Sequence, residues 1–495
     1  MKLNIDTKSI LEYMWRVRKK IFWVVFIISG LFILGIVTDV TPYIRGPVDP
    51  ITPSRWPYYF VNTFNKVWAP IAVIVIYLLL YSIVESKRKW NKWQEAGFLT
   101  LIIFVIFLFQ ISLVYFSRFG VTILFRRMVD PGMNSYFIAA TKVNDINKFL
   151  LDFPAKVKDL PMHAGSHPPG SVLFFQGIIS LFENFPQITN FFGSFIRPPR
   201  AEVKIYWLAL STAQRVAAVF SAFLMHFLAA LAVLPLYYLV KNLFDRQIAW
   251  RTVFIYGIIP SVSFFAVIMD PFYALFPLVS LTVLITGIKR SNKLLIFISG
   301  FILAVGLFFS LSILPILAMM GVYVILTIYK NKNYEKILGK MFYFLTGLLS
   351  FFILLTWYGF NIIASFLAVI THLTPRSYIP WLLFNPYDFL VYLGIHLAIF
   401  FILASYYFFK KGSLTKDLLM KTILSFWSVF MIITILGVNK GEVGRTWVTF
   451  MFIPTILATI YMTKILKFSK MTFMWIMFLM FLQVVVMEEF WVPVW

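Results

Sequence analysis

The feature that most constrains this chain is a series of unbroken apolar runs, each about 18–25 residues long, the length a helix needs to cross roughly 30 Å of hydrocarbon. "IFWVVFIISGLFILGIV" (21–37) is the first. The runs are continuous rather than alternating, which excludes a transmembrane barrel. Hydrophobic residues make up 61% and charged residues 13%, whereas a soluble domain is nearer half apolar and a quarter charged. The fold class expected is an all-α polytopic membrane protein.

Spanning helices are predicted at about 21–38, 67–85, 96–117, 209–240, 247–269, 270–288, 294–309, 311–329, 341–370, 387–409, 418–437, 446–463 and 471–487, about thirteen in all. Lys2, Lys8, Arg16, Arg18, Lys19 and Lys20 precede the first run and no small-residue cleavage site follows it, so a retained helix is expected. Alternating sides from a cytoplasmic N-terminus puts 85–93, 241–251, 289–293, 330–340, 410–417 and 463–470 in the cytoplasm, all rich in Lys or Arg. The net charge of +24 is therefore read as positive-inside bias, and nucleic acid is not an expected partner. The chain has no cysteine, which excludes disulfides and thiolate metal sites.

The other side receives 39–66, the long loop 118–208, the turn at Asp270, 371–386, "GVNKGEVGR" (437–445) and the C-terminal tail. The long loop holds Asp130, then "NSYFIAATKVNDINKFLLD" (134–152), with Tyr136, Ala139, Ala140, Val143, Ile146, Phe149 and Leu150 on one stripe of an amphipathic helix. It continues into "HAGSHPPGS" (163–171), a stiff turn whose Pro168 and Pro169 open an apolar helix that Ser166 or His167 could cap.

An aspartate, then tyrosine and alanines, then a His-Pro-Pro turn opening a helix resembles the first large external loop of GT-C class membrane glycosyltransferases. The resemblance is to the dolichyl-phosphate-mannose protein mannosyltransferase-like branch and its prokaryotic relatives. "PSVSFFAVIMDPFYALFPLVSLTVL" (260–284) resembles that family's Pro-containing helix followed by an aspartate, and "GEVGRTW" (441–447) its Gly-Glu-x-x-Arg-x-Trp pattern. The resemblance covers roughly 118–464. It implies a GT-C-like body (209–495), the external loop (118–208) and an added N-terminal bundle (1–117). It also implies sugar transfer from a polyprenyl-phosphate donor on the non-cytoplasmic face of the cell membrane, with Asp130 as base. The family's acidic loop follows its first helix, whereas three helices precede it here; Asp39 or Asp49 is the alternative match.

Each residue has a plainer reading. Asp130 suits a base for inverting transfer, and equally an Asp-Pro-Gly turn. His163 and His167 stand four apart, but Gly165 and the prolines argue against a helical metal pair. They are read as turn residues, His167 as orienting Asp130 or meeting acceptor or phosphate. No cofactor is expected, a divalent cation on Asp130 and a histidine being the lesser reading. Arg445 and Arg376 suit the donor phosphate, with Glu442 steering Arg445 at i,i+3, or else anchor at lipid headgroups. Asp270 is read first as a helix N-cap and second as a sugar-hydroxyl contact. Glu488 and Glu489 are read as solvated. Expected partners are the donor lipid, a glycan, lipid or protein acceptor, and membrane lipids. A transporter or flippase of lipid-linked saccharides would show broken helices and mid-membrane ionisable groups, Arg215 and His226 being the residues to watch. A polysaccharide ligase or polymerase would share the donor chemistry.

Overall fold

The computed structural model describes residues 7–51, 55–60, 62–87, 89–198, 204–329, 334–371, 376–411 and 418–491. Parts of three predicted loops (330–333, 372–375 and 412–417), Lys2 and the tail 492–495 lie outside the described residues. The described chain is helical throughout, without a strand. Among the described residues nine helices are long and apolar enough to cross a membrane, or eleven if each of two bent pairs is one span. Of the expected thirteen, 387–409 and 446–463 are the two bent pairs, 247–269 is broken, and 294–309 forms the helix Lys293–Phe309, which at 17 residues is too short.

In the predicted span 247–269 the helix ends at Tyr256, and a new turn starts at Pro260, which has no N–H to continue the ladder. Ile258 N–H turns to Ile255 O, so Phe254 O loses its helical partner, and the Tyr77 hydroxyl donates to it at 2.7 Å. Gly257 sits at the break, where an added Cβ would lie 2.3 Å from Ile106 Cδ1. The run 341–370 divides into Tyr334–Trp357 and Ile362–Thr371 at Gly359, whose φ is +83°.

The run 387–409 breaks at Gly394, φ +97°, and the helices Tyr378–Leu393 and Ile395–Lys411 meet at 109°. A break inside apolar surroundings leaves backbone groups that water cannot satisfy. Here one buried amide serves both sides: Gln483 Oε1 accepts from Ile395 N at 3.0 Å, and Gln483 Nε2 donates to Val391 O at 2.9 Å. The run 446–463 bends by 65° between Val443–Phe450 and Phe452–Ile465.

Helices Lys293–Phe309 and Tyr334–Trp357 pack through small residues. A Cβ on Gly300 would lie 2.0 Å from Phe344 O, and one on Gly347 1.9 Å from Phe297 O. Each glycine thus receives the partner's backbone, the way helices associate where lipid removes the hydrophobic drive.

The ion pairs sort into two sets. Glu85–Arg251, Glu95 with Lys241 and Arg246, and Asp245–Lys464 join segments predicted at the cytoplasmic end. Asp39–Arg45, Arg126–Asp130, Lys156–Asp152 and the chain Asp270–Arg445–Glu442–Arg376 join segments predicted at the other. Among the described residues no ion pair joins the two sets.

Candidate functional site

The described residues of 118–208 pack against the end of the helices that holds the second set of ion pairs. Its stripe is two helices rather than one: Ser135–Ala140, and Ile146–Lys156 capped by Asp145, which accepts from Lys148 N at 3.0 Å. Tyr136, Ala139, Ala140, Val143, Phe149 and Leu150 are buried as expected, while Ile146 is exposed because the stripe shifts at the break. Asp130 organises the turn before them. Its Oδ1 accepts from Gly132 N at 2.8 Å, its carbonyl accepts from Met133 and Asn134, and its Oδ2 lies 3.6 Å from Arg126 Nε.

Met162–Gly165 is a single helical turn. Ser135 Oγ accepts from Ala164 N at 2.8 Å, and His163 Nε2 bonds Gly132 O at 3.1 Å, so the histidine turn is fastened to the Asp130 turn. Ser166 and His167 do not cap the helix Gly170–Asn184; its N-cap position is Pro169, without a side-chain cap. Instead both point back to His163 O, Ser166 Oγ at 3.2 Å and His167 Nδ1 at 3.1 Å. Gly170 admits close passage of the Phe308 carbonyl, which a Cβ would meet at 2.6 Å.

Beneath this cover lies a buried charge chain. Asp270 is not a helix cap: Ile268 holds the N-cap position, and the Asp270 carboxylate pairs with Arg445 Nε at 3.4 Å. Arg445 Nη2 reaches Glu442 Oε2 at 2.8 Å, the expected i,i+3 contact, and Arg376 takes the other Glu442 oxygen. Arg376 Nη1 also donates to Lys440 O at 2.7 Å. Glu442 occupies the left-handed region at φ +60°. Gly441, at φ +86°, leaves room for Arg376 Nη1, which a Cβ would meet at 2.4 Å. Burial alone would raise the Glu442 carboxyl, but the two guanidinium groups bring it down to about 2. Two carboxylates thus balance two guanidinium groups.

Tyr136 and Tyr273 line the contact between cover and chain. Tyr273 hydroxyl lies 2.6 Å from Ser171 Oγ, and the His167 ring stands 5.4 Å from Tyr136 and 6.0 Å from Tyr273. Burial, reinforced by Arg445, lowers His163 to about 4; burial, His163 and Arg445 lower His167 to about 3. Both imidazoles are neutral at ordinary pH.

The structure therefore brings together Tyr136, His163, His167, Asp270, Arg376, Glu442 and Arg445. Asp130 stands beside them through its turn, its carboxylate facing Gly132 and Arg126. Asp39 is held by Arg45 at 2.8 and 2.9 Å. Asp49 accepts from Ile51 N, Ser377 N, Ser377 Oγ and Trp381 Nε1. Burial opposes ionisation of Asp49, but these donors outweigh it and hold the carboxyl at about 2. It anchors the segment that carries Arg376.

Tyr273, Asn385 and Asp388 were not among the residues expected here. Asn385 bridges Asn439 O and Gly441 N at 2.6 and 3.0 Å, and Asp388 is buried near Arg376 and Glu442. "NPYDF" carries both at i,i+3, a polar pair inside an apolar run, which was the available signal. Glu488 and Glu489 are buried rather than solvated; Glu489 accepts from Thr63 N at 3.0 Å, and Glu488 shares its surroundings with the Arg127 charge. His226 is buried with Nδ1 2.7 Å from Ala222 O, and Arg215 Nε donates to Trp207 O. Among the described residues no group of three or more His, Asp or Glu side chains is placed to hold a metal ion. No protein-family model matches the chain, and no curated protein matches it.

Proposed function

We propose that this protein is a membrane glycosyltransferase that moves a sugar, with inversion, from a polyprenyl-phosphate donor to a hydroxyl acceptor on the non-cytoplasmic face. The observation that carries this reading is the buried chain Asp270–Arg445–Glu442–Arg376 beneath the histidine turn of 118–208. Buried charge beside apolar helices is costly and is kept where it acts. Guanidinium groups stay charged and bond phosphate oxygens in pairs. Arg445 and Arg376 are offered as the donor-phosphate site, with Glu442 holding them parallel until phosphate arrives. The acceptor loses its proton to a base on the covering segment, Asp130 by the resemblance.

Purified protein, given a panel of polyprenyl-phosphate hexoses and pentoses in single turnover, should release or transfer sugar from at least one. Arg445→Lys keeps the charge but loses the fork, and transfer should fall by about 100-fold or more. Binding of every donor without turnover of any would remove the reading.

One observation favours a transporter of lipid-linked saccharides as second reading: the helix break at Gly394, bridged by Gln483, with His396 buried beside it. Broken helices are where transporters place their sites. Movement of a fluorescent lipid-linked sugar across proteoliposomes, without its cleavage, would put that reading first.

A further inference from the structure

His167 has one ring nitrogen committed and one open. Nδ1 lies 3.1 Å from His163 O, a carbonyl that can only accept, so Nδ1 carries the hydrogen. Ser166 Oγ, 3.2 Å from the same nitrogen, spends its own hydrogen on His163 O and is consistent with that tautomer. Nε2 is therefore a lone pair, and no protein group among the described residues hydrogen-bonds it. The residue is half-buried, and its ring lies 5.4 Å from the Tyr136 ring and 6.0 Å from the Tyr273 ring.

The carboxylates around it are differently placed. Asp130 Oδ1 is used by Gly132 N and its Oδ2 faces Arg126. Glu442 divides its oxygens between two guanidinium groups, and Asp270 is paired with Arg445 on one oxygen and sealed from solvent on the other. Asp49 and Asp39 are held by their own donors.

Resting on the glycosyltransferase reading, we propose that His167 Nε2, rather than Asp130, is the base that receives the acceptor hydroxyl. The acceptor oxygen bonds the anomeric carbon. The bond from that carbon to the phosphate oxygen breaks, its electron pair leaving on the polyprenyl phosphate. The acceptor's proton goes to Nε2 and then to water. The backbone carbonyl at Nδ1 holds the tautomer, the role a carboxylate takes in other imidazole bases. The groups facing the ring are His163 on its own turn, Tyr136, Tyr273, and Arg445 and Glu442 from the charge chain. Burial, His163 and Arg445 keep the ring neutral before donor binds, and the negative phosphate of a bound donor raises its proton affinity toward the working pH. The paired prolines then have a reason: they fix the ring's entry into the helix behind it.

The test uses full-length protein in detergent, with short-chain polyprenyl-phosphate mannose and glucose as donors and octyl hexosides as acceptors. His167→Ala should keep donor binding and lose transfer by about 100-fold or more, the scale of a general base. Added imidazole should restore part of it, which a merely structural defect would not allow. Asp130→Asn should lose less and gain nothing from imidazole. His167→Gln, which keeps the bulk, covers the case where the alanine variant does not fold; it should be as inactive as His167→Ala. Transfer by either folded His167 variant near the wild-type rate overturns the proposal while leaving the glycosyltransferase reading intact. So does a loss in Asp130→Asn matching that in His167→Ala with no imidazole rescue. Wild type that turns over none of the donors removes both.

Discussion

Glu442 shows how much a single residue in this chain can carry. It separates two guanidinium groups that would otherwise face each other in a buried place. Glu442→Gln should leave positive charge uncompensated and cost about 3–5 kcal/mol, read as a lower unfolding temperature in detergent. Its folded carboxyl lies at about 2 against an ordinary 4.5. The stability it contributes is therefore complete above pH 4.5 and lost as pH falls from there through about 2. The wild type should lose stability across that window, and Glu442→Gln should lose correspondingly less. Asp49→Ala acts on the same site from outside: Trp381 Nε1 and Ser377 N lose their acceptor, at about 1–3 kcal/mol. Weaker donor binding is the expected companion, since Arg376 precedes Ser377. Arg376, Glu442 and Arg445 were legible as residue types in short motifs. Their partners were not: Arg445 meets Asp270 from 175 positions away (445 − 270), and no local spacing encodes that.

At the scale of elements, apolar runs are visible in sequence, but whether a run is straight depends on what waits at the break. "LGIHL" at 393–397 reads as helix until Gln483, on the last long helix, supplies a donor and an acceptor to the opened backbone. Gln483→Leu should strand Ile395 N–H, at about 1–3 kcal/mol, while Val391 O keeps the bond it accepts from Gly394 N at 3.0 Å. A Gly394→Ala variant should be destabilised as well, because its φ of +97° is strained for any side chain. The glycine contact makes a controlled pair. Gly347→Ala puts a Cβ against Phe297 O and should cost about 3 kcal/mol. Gly339→Ala, on the same helix with nothing near it, should instead stabilise by about 0.5–1 kcal/mol. Unfolding of the two variants side by side separates packing from propensity.

For the whole molecule, the testable quantity is sidedness. The chain has no cysteine, so single cysteines report cleanly. With the orientation expected from the basic loops, Lys148→Cys should react with an impermeant maleimide in intact cells, and Lys293→Cys only after permeabilisation. Labelling of Lys293→Cys but not Lys148→Cys in intact cells would reverse that expectation. The sequence alone determined that this is a helical membrane protein, since hydrocarbon accepts only long apolar segments whose backbone bonds itself. Basic residues also mark an expected division of the loops into two ends, and among the described residues no ion pair crosses it. Tertiary structure decided which apolar runs break, that Asp270 serves an ion pair rather than a cap, and that His167 keeps one nitrogen open. These depend on partners distant in sequence, and a buried polar group takes whichever partner the packing brings within hydrogen-bonding reach.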